Sequence, residues 1–140
     1  MRSTSARSFF DTNVLVYTDD ARFPEKLNRA TDLFGQALRA GSGVASTQVL
    51  QEYFATVTRK LGVPAEVARG KVEIIAGLDI VQVDLPVILG AIDLHRLRQL
   101  SFWDALIIQS AMDARCAQLY TEDLQHGERI NGLEIVNPFA

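Results

Sequence analysis

A three-layer α/β domain, with helices on both faces of a central parallel sheet, is the fold class this sequence predicts. Short apolar blocks of β-branched and aromatic residues alternate with longer stretches of helical period. Strands separated by helical crossovers pair in parallel and need cover on both faces. The 140 residues, 48% apolar and 22% charged, suit one globular domain that buries its core without staples. Residues 1–8, rich in Ser, Thr and Arg, read as a loose tail, and residues 9–140 as the domain.

Phe9-Phe10-Asp11 opens the first apolar block, and a buried strand is expected to reach about Asp11. Asp19-Asp20 marks a loop. From Pro24 to Ala40, Leu27, Ala30, Leu33, Phe34, Ala37 and Leu38 recur at helical spacing, and Gly41 stops the helix. Gly43–Ala45 is a short strand. A second amphipathic helix runs from Thr47 to Leu61 along Val49, Leu50, Tyr53, Phe54 and Val57, ending at Gly62. Pro64 opens a third helix that lasts to Ala76, and Ile80–Val83 is a strand. Asp84 caps a fourth helix with Pro86 in its first turn, carrying Ile88, Ile92 and Leu97. Ser101 caps a fifth, Phe102 to Arg115, whose Ala105-Leu106-Ile107-Ile108 run is apolar on nearly all sides and so buried. Gln118–Thr121 and Glu134–Val136 are the last strands, with Asn131-Gly132 as the turn before the final one.

Composition excludes several function classes. A single cysteine, Cys116, rules out an internal disulfide framework and leaves no cysteine-based zinc site, which fits a reducing cytoplasm. No apolar run approaches the roughly 18 residues of a membrane helix, and the N-terminal stretch is a poor secretory signal. The net charge of −3 carries no overall basic footprint for nucleic acid.

Most acids have local explanations: Glu25, Asp32, Glu66 and Glu73 on solvated helix faces, Asp84 as a cap, Asp19 and Asp20 in a loop. Four others are placed differently. Asp11 closes the first strand, Asp123 follows the Gln118–Thr121 strand, Asp104 sits in the capping-box position after Ser101 beside Trp103, and Glu52 lies in the second turn of its helix. Open α/β sheets bind ligands at the carboxyl ends of their strands, and this topology brings all four acids toward that edge. Carboxylates gathered there repel one another, and a hard dication such as Mg²⁺ or Mn²⁺, which prefers oxygen ligands, relieves that repulsion. His95 and His126 do not supply a zinc constellation. Setting these four carboxylates aside turns the net charge of −3 into +1, so the remaining surface can accept a phosphodiester.

In order and spacing, Phe10-Asp11-Thr12-Asn13, Gln48-Val49-Leu50-Gln51-Glu52, Phe102-Trp103-Asp104-Ala105-Leu106-Ile107 and Tyr120-Thr121-Glu122-Asp123-Leu124 resemble the four acidic motifs of PIN-domain ribonucleases, and in particular the single-domain VapC-type toxins of toxin–antitoxin modules. The resemblance runs from about Phe9 to Pro138. It implies metal-binding catalytic acids at Asp11, Glu52, Asp104 and Asp123, with Thr12, Asn13 and Thr121 as supporting polar residues. It implies a Mg²⁺- or Mn²⁺-dependent endoribonuclease that leaves 5′-phosphate and 3′-hydroxyl ends on a transfer or ribosomal RNA. It further implies a cognate antitoxin across the acidic crevice, and a homodimer through apolar helix faces; Phe23, Leu27, Phe34, Tyr53 and Phe54 are more aromatic than a small core requires, although core packing is the expected home for most of them. Arg22, Lys26, Arg29, Arg59, Lys60, Arg96 and Arg98 are candidates for gripping RNA, against the plainer reading of solvated helix faces, and His126 for touching it, against the plainer reading of a surface-loop histidine. The alternatives are a catalytically silent metal- or partner-binding module and a housekeeping nuclease without an antitoxin. A haloacid-dehalogenase-like phosphatase would need a second Asp where Asn13 stands, and a receiver domain would need a lysine later than Lys71.

Overall fold

The structure is a computed structural model and describes residues 6–140. Helices cover a six-stranded sheet in which β1 (Ser8–Phe10), β2 (Gly43–Ser46), β3 (Asp79–Val81), β4 (Gln118–Tyr120) and β6 (Leu133–Val136) run parallel. The sheet order is β3-β2-β1-β4-β6-β5, with β5 (Arg129–Ile130) antiparallel at the edge. The expected α/β architecture with a central parallel sheet is therefore present. Among the described residues no helix is long and apolar enough to cross a membrane.

Two elements depart from the sequence reading. Residues Thr12–Tyr17 form a helix, α1, capped by the Asp11 carboxylate on the Thr12 N–H. The β-branched run of Val14 and Val16 gave no helical signal, because a helix of six residues is too short for periodicity to show. The pair β5–β6 is a hairpin whose two-residue loop is Asn131-Gly132, with φ of 50° and 86°. Positive φ at both central residues matches a type I′ turn, which Asn-Gly favours. The turn was legible, but its two-residue partner strand was not.

The tail reaches less far than expected. Ser8 is buried in β1, its amide donates to Ser42 O at 2.9 Å, and Arg7 donates to Ala114 O at 2.9 Å while pairing with Asp79. Residues 1–5 of the expected tail lie outside the described residues.

The long helices match the sequence to within a residue or two: α2 (Pro24–Ala40), α3 (Thr47–Lys60), α4 (Ala65–Ile75), α5 (Leu85–Leu97) and α6 (Phe102–Asp113). Gly41 and Gly62 take left-handed backbone where α2 and α3 end. Asp84 and Ser101 cap as expected, accepting from the Val87 and Asp104 amides. On α5, however, Val87, Ala91 and Leu94 are the buried positions, while Ile92 and Leu97 are exposed and Ile88 is partly buried. Asp93 and Arg96 mark the exposed side of α5, but the apolar Leu89 and Ile92 share it, so the pattern is too broad to single out the buried stripe.

Phe10 anchors the centre of the core, edge-on to Phe34 of α2 at 6.3 Å and to Tyr120 at 5.2 Å. Asp19 and Asp20, read as plain loop acids, are structural. Asp20 is buried and pairs with Arg22, and Asp19 accepts from the Tyr53 hydroxyl and pairs with Lys71. The Asp20 pair braces the α1–α2 connection internally, and the Asp19 contacts hold it against α3 and α4.

Gly43 lets α2 approach the sheet. A Cβ there would lie 2.6 Å from Leu78 Cδ2 and 2.9 Å from Ala37 Cβ. Gly43→Ala is expected to destabilise the protein by roughly 1–3 kcal/mol, the usual cost of overpacking, read as a lower urea midpoint at unchanged m-value. An unchanged midpoint would show that this packing gives way freely.

Candidate active site

The strand order sets where a site can form. The chain moves from β1 outward through β2 to β3, then returns to place β4 on the other side of β1. The crevice at this switch point lies beyond the carboxyl ends of β1 and β4. Their register pairs Phe10 with Tyr120, so Asp11 and Thr121 emerge side by side, and the Asp11 amide donates to Tyr120 O at 3.0 Å.

Asp11, Glu52, Asp104 and Asp123 line one cleft of about 550 Å³. Asp11 is only 6% exposed at its floor. Its Oδ1 accepts from the Thr12 amide at 2.7 Å and its Oδ2 from Thr121 Oγ1 at 2.8 Å. Glu52 Oε1 accepts from Thr12 Oγ1 at 2.6 Å, and Oε2 accepts from Gln48 Nε2 at 3.2 Å. Asn13 Nδ2 donates to Asp123 Oδ2 at 2.9 Å and approaches Thr121 Oγ1 and Asp11 Oδ2 at 3.3 and 3.5 Å. Thr121 Oγ1 also accepts from the Asp123 amide at 3.1 Å. The three residues expected to support the acids, Thr12, Asn13 and Thr121, thus bond directly to them.

Among the described residues none of the four acids forms an ion pair. Burial without a cation shows in the acidities of Asp11 and Asp104. Burial pushes the Asp11 carboxyl up to about 6, with Asp123 and Glu52 adding to the rise against the Thr121 and Thr12 hydrogen bonds. Burial also raises Asp104, again with Asp123 and Glu52 contributing. Among the described residues, no three acidic, histidine or cysteine side chains converge closely enough to hold an ion as they stand. The acids share a cleft rather than a finished cage, and the Asn13 amide sits between Asp11 and Asp123.

The loop that carries Asp123 is tied down by its neighbour. Glu122 accepts from Tyr17 OH at 2.6 Å and pairs with Lys26, whose ammonium also lies over the Tyr17, Phe23 and Phe139 rings. Burial raises the Glu122 carboxyl, but hydrogen bonds from Lys26 and Tyr17 outweigh it and hold the group below its ordinary value. Asn13 Oδ1 accepts from the Glu122 amide at 3.2 Å.

The family model for the PIN domain matches residues 8–129. The chain belongs to the PIN-domain family. No curated protein matches this PIN domain in sequence. Solved structures share its fold. A chain of a toxin–antitoxin complex from Klebsiella pneumoniae aligns with TM-score 0.66 at 21% identity, covering 94% of this chain and 97% of that one. VapC20 from Mycobacterium tuberculosis, described as a Sarcin-Ricin loop cleaving toxin, aligns with TM-score 0.64 at 21% identity over 83% of this chain and 89% of its own. A chain of VapBC2 from Rickettsia felis, bound to a promoter DNA fragment, aligns with TM-score 0.66 at 19% identity over 91% and 96%.

The cations sort differently from expectation. Lys26 is engaged by Glu122, Arg29 donates to Pro138 O, and Arg22 pairs with Asp20 while lining the PIN-domain cleft. Arg59 and Lys60 line the cleft from the end of α3 with no ion pair among the described residues. Arg96, Arg98 and His126 do not line it, and the His126 ring accepts from the Asn137 amide. Gln48 and Trp103 line the cleft and were not singled out from sequence. Gln48 precedes Glu52 by one helical turn, a spacing that puts both on one face and was available as a signal.

A carboxyl group whose folded pKa is raised contributes stability while protonated, and that contribution fades as pH rises through the folded value. Between the ordinary 3.8 and about 6, Asp11 amounts to about 3 kcal/mol. In EDTA, the wild type should therefore lose about 3 kcal/mol relative to Asp11→Asn between about pH 4 and about pH 7, read from urea midpoints. Parallel pH profiles for the two proteins would contradict this.

Proposed function

We propose that this PIN domain is a Mg²⁺- or Mn²⁺-dependent endoribonuclease and the toxin of a toxin–antitoxin pair. One observation carries the reading: Asp11, Glu52, Asp104 and Asp123 line a single cleft without a cationic partner among the described residues. Family membership and the VapC-type structures that share the fold support it.

The donor set suits a hard cation. It is all oxygen, with no thiolate or imidazole lining the cleft, and among the described residues no cationic side chain pairs with any of the four acids. Asp11, Asp104 and Asp123 would hold the ion, with Glu52 binding it or orienting the attacking water. A bound dication lowers the pKa of water and neutralises phosphoryl charge. The protein's part is positioning. Thr12 and Gln48 restrain both oxygens of Glu52, Thr121 and the Thr12 amide restrain both oxygens of Asp11, and Asn13 restrains Asp123. Arg59 and Lys60, at the end of α3, would meet phosphates of the substrate beside the acids. The proposed products carry 5′-phosphate and 3′-hydroxyl ends.

The proposed partners are an RNA substrate, of transfer or ribosomal type, a cognate antitoxin and a second copy of the chain, acting in the cytoplasm. Phe34 and Tyr53, offered above as interface aromatics, belong to the core, and Leu27 is partly buried. The exposed Leu85, Leu89 and Ile92 recur on one face of α5 and are the better candidates for covering by a second copy.

Purified protein should cleave structured RNA with Mg²⁺ and not with EDTA. Asp104→Asn should lose roughly a hundredfold or more in rate, and Thr12→Val, which frees one Glu52 oxygen, about tenfold to a hundredfold. Cleavage undiminished in Asp104→Asn would refute the assignment of the acids. By sedimentation the wild type should be a dimer and Leu89→Lys a monomer, and an unchanged dimer would place the interface elsewhere.

A further inference from the structure

Trp103 stands out among the residues of the cleft. It is the only tryptophan in the chain, 62% exposed, one residue before Asp104 in the first turn of α6. Its indole is steadied without being covered. Phe102 packs against it at 5.1 Å with the rings at 71°, and its backbone carbonyl accepts from Gln48 Nε2 at 3.4 Å. The same Gln48 nitrogen bonds Glu52, so the backbone beneath the indole and one of the acids share a hydrogen-bonding side chain. The other exposed aromatic of the cleft, Phe23, already carries Arg22 and Lys26 near its ring. Among the described residues no cation lies over the Trp103 ring.

A rigid, exposed indole is a costly thing to leave in water, and its neighbours indicate what covers it. The cleft combines carboxylates with the free cations Arg59 and Lys60. Single-stranded nucleic acid is read by this combination, with cations tracking the phosphates and an aromatic face taking a base. Base pairs inside a duplex keep their faces stacked on one another, so only an unpaired base can reach the ring. Trp103 and Asp104 line the same cleft, which puts the ring and the carboxylate within reach of the same or adjoining nucleotides.

We propose that Trp103 is a base-stacking subsite, so that the substrate presents an unpaired nucleotide beside the phosphate held at the acids. The proposal rests on the ribonuclease reading and adds to it a requirement for single-stranded RNA at the cleavage site. Stacking tolerates every base, so Trp103 confers a preference for unpaired structure rather than for one sequence.

The sole tryptophan makes the test direct. The full-length protein is titrated in Ca²⁺ with an RNA hexamer, with the same hexamer carrying abasic riboses, and with a hairpin stem, following tryptophan fluorescence. Binding of a fluorescein-labelled hexamer to Trp103→Ala and Trp103→Phe is followed by anisotropy. Cleavage of structured RNA in Mg²⁺ is measured separately. The intact hexamer should quench the fluorescence saturably, the abasic one and the stem should not, and Trp103→Ala should bind about tenfold more weakly, with Trp103→Phe retaining most of the affinity. The side chain is exposed, so both variants are expected to fold, and circular dichroism of each is the check. Equal affinity of intact and abasic hexamers, or unchanged RNA affinity in Trp103→Ala, would overturn the subsite and leave the ring to a protein partner. Cleavage without quenching overturns the subsite alone. Quenching without cleavage supports the subsite and rejects the ribonuclease reading, and neither response rejects both.

Discussion

A carboxylate buried at the end of the central strand is the constraint around which this molecule is arranged. Asp11 follows two fully buried phenylalanines and is itself nearly inaccessible, where an ionised group is expensive to keep. Its immediate surroundings answer that cost with donors: the Thr12 amide, the Thr121 hydroxyl and, more distantly, the Asn13 amide. They do not answer it with a cation. Desolvation therefore prevails, and the neighbouring Asp123 and Glu52 add to it. A purely structural acid in this position would be paired, as Asp20 is with Arg22.

The separation of roles among the charged residues follows from that arrangement. Lys26, Lys71 and Arg22 are consumed in fixing the loops beside the cleft, through Glu122, Asp19 and Asp20 respectively. Lys26 has the densest surroundings, with Glu122, the Tyr17 hydroxyl and aromatic faces about it. By pinning Glu122 it restrains the adjoining Asp123. Arg59 and Lys60, at the end of α3, stay open to the cleft. The basic residues that face a phosphodiester are thus few and local, which reconciles a net charge of −3 with nucleic acid as the proposed ligand.

Two hydroxyls and an amide carry most of the positioning. Thr12 contributes its backbone to Asp11 and its side chain to Glu52, so one residue at the start of α1 couples acids that lie 41 positions apart in sequence. Thr121 and Asn13 do the same between β1 and the loop after β4. Restraint at several points lets acids on four separate elements share one cleft despite their repulsion.

The layers, the long helices and the four acids that come to line one cleft were legible in the sequence. Hydrophobic period, caps at Asp84 and Ser101, stops at Gly41 and Gly62, and the placement of Asp11 and Asp123 after strands are local or pattern features, and such features survive in one dimension. Tertiary structure decided what depends on partners distant in the chain. Six residues cannot display a helical period, so α1 was invisible until Asp11 capped it, and β5 exists only because β6 lies beside it. The buried face of α5, the anchoring work of Asp19, and the separation of engaged from unpaired cations among the described residues all turn on which side chain comes within reach. Proximity of that kind is fixed by the packing of whole elements, and no residue's neighbours in the chain encode it.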